Sequence, residues 1–331
     1  MLPKVSIIIV NYNGFEETIG CLKSLLKLDY SNFNVFVVEN GSSNDSLQRI
    51  SDFLEKLETQ DSRPVTQIIK STKNLGFAGG CNLGIREAQK MGADYFLLLN
   101  PDTKVEKDFL SKLIEVSENS QNYSELKAKK IGFLGSRIFY EDKKTIYSNG
   151  GYIKCNLLQA ELRDHGKLKE NLGKTKPFLT DYITGTALLV SKSVLNEIGL
   201  MREDYFLYYE DSDWAVRAFK KGFVHVIVPD SVIYHKGYHS TEYLSFNYIY
   251  YLVRNGYYLA WWNGNFFQKT FAVFYSIYKL FKQFPKIFIP EKRKWINPIF
   301  KATWDFWRKK TGKINFKSEA RNPKFETNSN I

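Results

Sequence analysis

Short apolar segments alternate with segments of helical spacing through the N-terminal third of the chain. The alternation predicts strands at residues 5–10, 35–38, 67–69 and 95–99 and helices at 16–28, 45–57 and about 79–91. Strands and helices in this order build a mostly parallel sheet that is covered by helices on both faces. The fold class is therefore predicted to be α/β, with ligands bound beyond the carboxyl ends of the strands.

Polar or glycine-rich turns follow all four predicted strands. These turns are Asn11-Tyr12-Asn13-Gly14, Glu39-Asn40-Gly41-Ser42, Asn74-Leu75-Gly76-Phe77-Ala78-Gly79-Gly80 and Asn100-Pro101-Asp102. A single turn of this kind is a common loop signal. Four of them at one edge of a sheet indicate a binding site.

Two carboxylates at these strand ends each allow two interpretations. Asp102 could hold Mg²⁺ or Mn²⁺ against a diphosphate, because hard cations prefer oxygen ligands. It could equally cap a helix that begins at about residue 103 and runs to 113. Glu39 could accept the ring N–H of uracil or thymine, or it could be only a turn residue.

Small residues dominate the segment 74–84, which contains four glycines and Asn82. They let the backbone approach a ligand closely, and the start of the following helix favours an anion. The segment is not a GxGxxG fingerprint, which belongs after the first strand, and it lacks the GK[ST] of a P-loop. The pattern therefore favours a ligand-binding turn of another kind.

From about residue 132 the pattern changes to mixed strands and turns. Here we predict a tight turn at 149–151, strands at 182–190 and 224–234, and helices at 192–198 and 211–221. The last strand leads to His235, which could be structural or could bind a metal or phosphate.

The segment Glu210-Asp211-Ser212-Asp213 places three acids within four residues at a predicted helix start. Acids favour the first turn of any helix, which is the simplest explanation. However, the preceding residues 205–209 are mostly aromatic, and sugar rings pack well on aromatic faces. Crowded carboxylates also raise one another's pKa, which suits a base that removes a hydroxyl proton.

Taken together, these segments resemble the family-2 inverting glycosyltransferases, in particular the bacterial rhamnosyltransferase-like branch. The resemblance covers roughly residues 3–240 in the family's order. Besides the four strand-end turns, it rests on Thr184-Gly185-Thr186-Ala187, Phe206-Leu207-Tyr208-Tyr209-Glu210-Asp211-Ser212-Asp213 and Tyr234-His235.

The resemblance implies a GT-A fold, in which Asp102 binds a divalent metal (Mg²⁺ or Mn²⁺) and His235 completes the metal shell. Asp211 would be the catalytic base. Acceptor-binding residues would be Glu210, Asp213 and Trp214. Donor-binding residues would be Asn11, Tyr12, Asn13, Glu39, Asn74, Gly79, Asn82 and Asn100.

Two positions depart from the family pattern. The family usually has Asp where this chain has Glu39, so the carboxylate is kept but moved by one methylene. The metal motif reads Asn100-Pro101-Asp102 rather than Asp-x-Asp. One carboxylate then serves instead of two, which makes a second ligand such as His235 more necessary.

The chain is predicted to divide at about residue 240. Residues 1–240 would form the GT-A domain, with a nucleotide-sugar half at 1–103 and an acceptor half at 130–240. Residues 241–331 would form a helical, basic and aromatic region, since thirteen Lys/Arg and four Asp/Glu lie beyond residue 280. Such a region suits an interfacial helix on an anionic membrane, a nucleic-acid surface or a solvated appendage, and the first is favoured.

The sequence thus predicts an inverting, metal-dependent transferase that moves a sugar, such as rhamnose, from a dTDP- or UDP-linked donor. The acceptor would be a hydroxyl of a glycan or lipid-linked saccharide in cell-surface polysaccharide synthesis, with no nucleic-acid partner. The alternatives are an inactive sugar-nucleotide or glycan-binding protein and a nucleotidyltransferase, which would need a basic glycine-rich loop after the first strand. Three widely separated cysteines indicate a reducing cytoplasm, and we expect peripheral attachment to the inner face of a bacterial membrane.

Overall fold

The computed structural model describes residues 2–58, 64–154, 159–173, 175–237 and 245–314. Cys155 and the segments 238–244 and 315–331 of the predicted C-terminal region lie outside these residues, whereas Cys21 and Cys81 are buried free thiols. The strands are β1 Val5–Asn11, β2 Phe33–Asn40, β3 Thr66–Ser71, β4 Tyr95–Leu99, β5 Thr103–Val105, β6 Lys130–Tyr140, β7 Ile146–Ser148, β8 Gly151–Lys154, β9 Gln159–Leu162, β10 Phe178–Thr180, β11 Ala187–Ser191 and β12 Phe223–His235. The α-helices are α1 Phe15–Leu25, α2 Ser46–Glu58, α3 Gly76–Lys90, α4 Phe109–Glu118, α5 Lys192–Ile198, α6 Glu210–Lys220, α7 Phe246–Asn263, α8 Phe266–Phe281 and α9 Ile296–Trp307.

A central sheet runs in the order β10-β12-β6-β11-β4-β1-β2-β3. Its N-terminal part is parallel, because β1 pairs in parallel with both β2 and β4, and β2 pairs in parallel with β3. The register sets Asn11 opposite Glu39 and Asn40 opposite Ser71. The turns that follow these strands therefore meet at one edge, as the alternation predicts.

Alternate residues of the parallel strands supply two separate cores. Ile7 and Ile9 of β1 face one apolar cluster with α1, α2 and α4, whereas Ile8 faces another with α3, α5 and α6. This division follows from the two-residue period of a strand. Helices consequently cover both faces, and the sheet edge at the strand ends is where a ligand can reach the backbone.

The strands after β4 extend the sheet, and two of their features differ from what the sequence suggested. Residues 103–105 form a strand paired with the end of β12, and α4 begins only at Phe109, so Asp102 does not cap a helix there. This pairing sets Thr103 opposite His235. The strand predicted from residue 182 begins at Ala187 instead, because residues 185 and 186 form a turn.

The C-terminal helices share a third apolar cluster with the segment that precedes the acidic residues. Tyr205, which is fully buried, packs in this cluster with Tyr250 of α7 and Phe306 of α9. The region beyond residue 245 therefore contacts the first part of the chain through a common core. Across the described helices, none combines the length and the hydrophobicity that a bilayer span requires.

Candidate functional site

A cavity of about 1570 Å³ opens at the edge where the strand-end turns meet. Single small-molecule sites usually measure roughly 300–1,000 Å³, so this one has room for two ligands. Its wall brings together eight of the residues that the sequence singles out. These are Tyr12, Asn13, Asn74, Asn100, Asp102, Glu210, Asp211 and His235.

Asn11 and Glu39, in contrast, use their polar atoms to hold the turns. The Asn11 Nδ2 group donates to Glu39 Oε2, and the Ser42 backbone N–H donates to Glu39 Oε1 at 2.8 Å. The side-chain oxygen Asn11 Oδ1 accepts from Thr18 Oγ1 at 2.9 Å. Both side chains are buried and do not line the cavity. This placement gives no support to the prediction that they contact the donor.

Asn82 and Gly79 on α3 also lie behind the cavity wall. Asn82 Nδ2 donates to Met201 O at 2.9 Å, and Asn82 Oδ1 accepts from Met201 N at 3.1 Å. A Cβ atom on Gly79 would lie 2.8 Å from the Cβ of Leu75. Asn82 therefore connects α3 to the segment before the acidic residues, and the glycine allows close packing within that helix.

Gly76 lines the cavity and allows a close approach between two segments of the protein's own backbone. Its φ is +76°, and a Cβ atom there would lie 2.2 Å from Phe206 O. The next residue, Phe77, donates its N–H to that same oxygen at 2.8 Å. The start of α3 is thereby joined to the segment that leads into the acidic residues.

Asp102 and His235 form a contact pair in the cavity wall. His235 Nε2 lies 3.1 Å from Asp102 Oδ1, and both side chains are mostly buried. The ring of His235 packs edge-on against Tyr147 at 4.4 Å between centroids, and its Nδ1 atom is buried without a hydrogen-bond partner in the described structure. Within the described residues, no group of three or more His, Cys, Asp or Glu side chains converges to hold a metal.

Glu210 and Asp211 form an acidic pair at the start of α6. Asp211 Oδ2 accepts from the Gly185 N–H at 3.0 Å, and Asp211 Oδ1 accepts from the Ser212 N–H at 2.6 Å. Burial raises the pKa of Asp211 against these hydrogen bonds. Burial, with the charge of Asp211 next in size, raises the pKa of Glu210 to about 8. Glu210 Oε2 is buried and accepts no hydrogen bond from the described residues.

The backbone that delivers this pair is strained. Phe206, Tyr208 and Tyr209 have φ values of +65°, +67° and +74°, which side-chain-bearing residues rarely adopt. Each such residue costs of order 1–3 kcal/mol unless its surroundings enforce the conformation. Strain of this kind concentrates at functional sites, and here it lies directly before Glu210 and Asp211.

Asn255 of α7 enforces that conformation and was missed by the sequence analysis. Its Nδ2 group lies within hydrogen-bond distance of three carbonyl oxygens, those of Tyr205 at 2.9 Å, Leu207 at 2.7 Å and Tyr208 at 3.0 Å. The neighbouring Arg254 also donates to Tyr205 O, at 3.0 Å. One indication of this role lies in the sequence. The helix is rich in Tyr and Trp, as buried helices often are, and it carries an Arg-Asn pair at its centre.

Asp213 and Trp214 face the protein interior rather than the cavity. The fully buried Asp213 accepts from Arg217 Nε at 2.8 Å and from Asn263 Nδ2 at 2.7 Å. Trp214 is also fully buried and donates from Nε1 to Gly199 O at 2.8 Å. Neither lines the cavity, so the structure does not support their predicted contact with an acceptor.

Comparison with known proteins gives this site its context. The model of the family described as "Glycosyl transferase family 2" matches residues 6–199. The dTDP-rhamnosyl transferase RfbF of Shigella flexneri is 27% identical over 71% of this chain and 70% of its own length. The low-salt glycan biosynthesis hexosyltransferase Agl10 of Haloferax volcanii is 30% identical over 66% of this chain and 62% of its own length.

Among solved structures, the chain is similar to the mannosyltransferase PcManGT from Pyrobaculum calidifontis, which was solved with GDP-Man and Mn²⁺. The TM-score is 0.56 at 14% identity, and the likeness covers 94% of this chain and 88% of the other. At this identity the likeness concerns the fold alone. It confirms the predicted GT-A α/β architecture.

We expect Asp213→Asn to destabilise the protein by about 3–5 kcal/mol, because it leaves the charge of Arg217 without its buried partner. Urea unfolding measures this change. Asp230→Asn is the matched control, since Asp230 is exposed and its replacement should change the unfolding free energy by less than about 0.5 kcal/mol. A stable Asp213→Asn protein with weakened acceptor binding would restore the acceptor-contacting role.

The raised pKa of Glu210 predicts a pH-dependent stability. A carboxyl whose pKa is about 8 in the folded protein, against 4.5 ordinarily, favours folding below pH 4.5 and loses that contribution as pH rises to 8. The unfolding free energy of Glu210→Gln, minus that of the wild type, should therefore increase between these values by at most about 1.4 kcal/mol per pH unit. Urea unfolding at pH 5, 6.5, 8 and 9 checks this, with exposed Glu55→Gln as control. A difference that stays constant with pH would contradict the assigned environment.

Proposed function

This chain belongs to glycosyl transferase family 2 and is a glycosyltransferase, and we propose that it acts with inversion and depends on a divalent metal. One observation carries the proposal: the Asp102–His235 pair and Asp211 line the same cavity, which has room for two ligands. A donor diphosphate beside the first group would present its sugar toward the second. The acceptor hydroxyl would enter from the side of Asp211.

We assign the metal to Asp102 and His235. His235 Nε2 and Asp102 Oδ1 lie 3.1 Å apart at the cavity wall, so both atoms could bind the same ion. The mannosyltransferase of similar fold was solved with Mn²⁺. Bound Mg²⁺ or Mn²⁺ would neutralise the charge that develops on the leaving diphosphate. Water and the diphosphate would supply the remaining ligands, which suits a site with only two protein groups.

Asp211 is the base in this proposal. Its hydrogen bonds with Gly185 and Ser212 fix the carboxylate, and its raised pKa brings it nearer to that of a group that can take a proton at neutral pH. As Asp211 removes the acceptor's hydroxyl proton, the acceptor oxygen bonds to the anomeric carbon. The bond from that carbon to the donor phosphate breaks on the opposite face, which inverts the configuration. Glu210, whose pKa is about 8, stays mostly protonated at neutral pH, so Asp211 is the member of the pair that ionises to act as the base.

The names of the relatives suggest the chemical classes of the donor and the acceptor. RfbF is named as a dTDP-rhamnosyl transferase and Agl10 as a hexosyltransferase of glycan biosynthesis. We propose a dTDP- or UDP-linked sugar, with rhamnose first, and a glycan or lipid-linked saccharide acceptor in polysaccharide synthesis.

We further propose that α8 attaches the enzyme to the anionic inner face of a bacterial membrane. One side of this helix exposes a row of aromatic side chains, and several remain more than 60% exposed, namely Phe266, Phe267, Phe274 and Phe281. Isolated exposed apolar residues are ordinary, but a contiguous patch of this kind indicates a binding surface. Lysines on and after the helix, including Lys269, Lys282 and Lys286, complement anionic lipid head groups.

The catalytic assignment is tested with a panel of nucleotide sugars. Release of nucleoside diphosphate should require Mn²⁺ or Mg²⁺ and stop with chelator. Asp211→Asn should lower kcat by roughly 100- to 10,000-fold, the range of general-base catalysis, while calorimetry shows unchanged donor affinity. Asp230→Asn should behave as the wild type. Retained turnover by Asp211→Asn would show that another group is the base. A wild-type protein that binds donors without turnover would be a sugar-nucleotide-binding protein instead of an enzyme.

The membrane proposal is tested by sedimentation with vesicles. The double variant Phe274→Ser/Phe281→Ser should bind phosphatidylglycerol vesicles at least about tenfold more weakly, because burying one such ring contributes roughly 1.5–3 kcal/mol. Phe219→Ser is the matched control, since Phe219 is 67% exposed but lies on α6. Equal binding by the double variant and the wild type would refute attachment through α8.

A further inference from the structure

Lys279 occupies an inward position on α8. The buried residues Ala272, Ser276 and Gln283 recur every four or seven positions along this part of the chain, and Lys279 falls on the same stripe. Packing alone would favour an apolar residue on this stripe, whereas Lys279 is a half-buried cation that lines the cavity. The lysine therefore needs an explanation other than helix packing.

Aromatic rings surround the Lys279 ammonium, and no acid balances it. Its Nζ lies 5.4 Å from the centroid of the Tyr275 ring and 5.7 Å from that of Tyr257, within the range of cation–π attraction. No salt bridge from Lys279 to a carboxylate exists among the described residues. Burial, with a smaller contribution from Lys286, lowers the pKa of Lys279 to about 8, so the group still carries its charge at neutral pH.

The position of Lys279 connects the cavity with the outer surface of α8. Lys279 and Tyr275 line the cavity that also contains Asp211. Phe274 and Phe281 lie on the same helix and remain exposed to solvent. A ligand that passes over α8 would thus meet an apolar outer face first and the Lys279 ammonium at the cavity wall.

We propose that Lys279 is an anion subsite that binds the phosphate of an amphiphilic acceptor, whose hydrocarbon chain lies along the aromatic face of α8. This inference rests on the proposed transferase function and adds the residue that would bind the phosphate of a lipid-linked acceptor. Lysine binds phosphate as a compact point charge. The saccharide attached to the phosphate would then extend into the cavity toward Asp211, and the chain would remain outside it.

Binding of dodecyl phosphate below its critical micelle concentration tests the subsite without requiring catalysis. Calorimetry should show that Lys279→Met weakens this binding at least tenfold, whereas Lys279→Arg retains most of it. The matched control is Lys221→Met, because Lys221 is exposed and lies outside the proposed membrane surface. Neutral dodecyl maltoside should bind the wild type and Lys279→Met equally, and inorganic phosphate should bind more weakly than dodecyl phosphate.

Each other result overturns the subsite. Equal affinity of the wild type and Lys279→Met for dodecyl phosphate would remove the lysine from recognition. An equal loss in Lys221→Met would reduce the effect to general surface charge, and an equal loss of maltoside binding would assign Lys279 a packing role. Inorganic phosphate that binds as tightly as dodecyl phosphate would exclude the lipid chain. Asp211→Asn should bind dodecyl phosphate as the wild type does, so failure of the catalytic assignment and failure of the subsite are distinguishable.

Discussion

The hydrogen bonds from Asn255 to the strained segment before α6 hold the candidate site together. Phe206, Tyr208 and Tyr209 would relax toward ordinary backbone conformations if the carbonyl groups of Leu207 and Tyr208 lost this donor. Relaxation would move Glu210 and Asp211, which follow directly. The acidic pair therefore depends on a helix that follows it by more than forty residues in the sequence. Gly256, next to Asn255, leaves the space in which the Tyr209 hydroxyl lies against α7.

Asp211 and Asp213 belong to the same short acidic segment, but the fold gives their carboxylates different environments. Residues two positions apart on a helix point about 200° away from each other, so Asp211 and Asp213 face opposite sides of α6. Asp213 is neutralised by Arg217 and Asn263. Asp211 has only neutral hydrogen-bond donors, and burial raises its pKa. The carboxylate of Asp213 is thus stabilised in the core, whereas that of Asp211 lies at the cavity with a raised pKa, as the proposed base requires.

The parallel half of the fold was predictable because its signals are local. The two-residue period of β1 and the turn after each strand locate Tyr12, Asn74 and Asp102 at one edge without any long-range information. Two features were not predictable in this way. Asp102 was compatible with a helix cap until the pairing of β5 with β12 was known, and the role of Asn255 exists only when α7 packs on a distant loop. The motifs also could not predict the direction in which a side chain points. Asn11 and Glu39, for example, hydrogen-bond to each other.

The extent of the family match agrees with a cavity in which one part binds the donor and another part binds the acceptor. The match ends at residue 199, so it includes Asp102 and the other strand-end turns but excludes Asp211. The same limit excludes Asn255, which supports the acidic pair, and Lys279 on the far wall. A nucleoside diphosphate presents the same phosphates whatever sugar it carries, whereas acceptors differ in charge and in hydrophobicity. Except for His235, the residues that we place beside the donor diphosphate therefore lie within the family match, and we infer that acceptor choice depends on residues beyond 199.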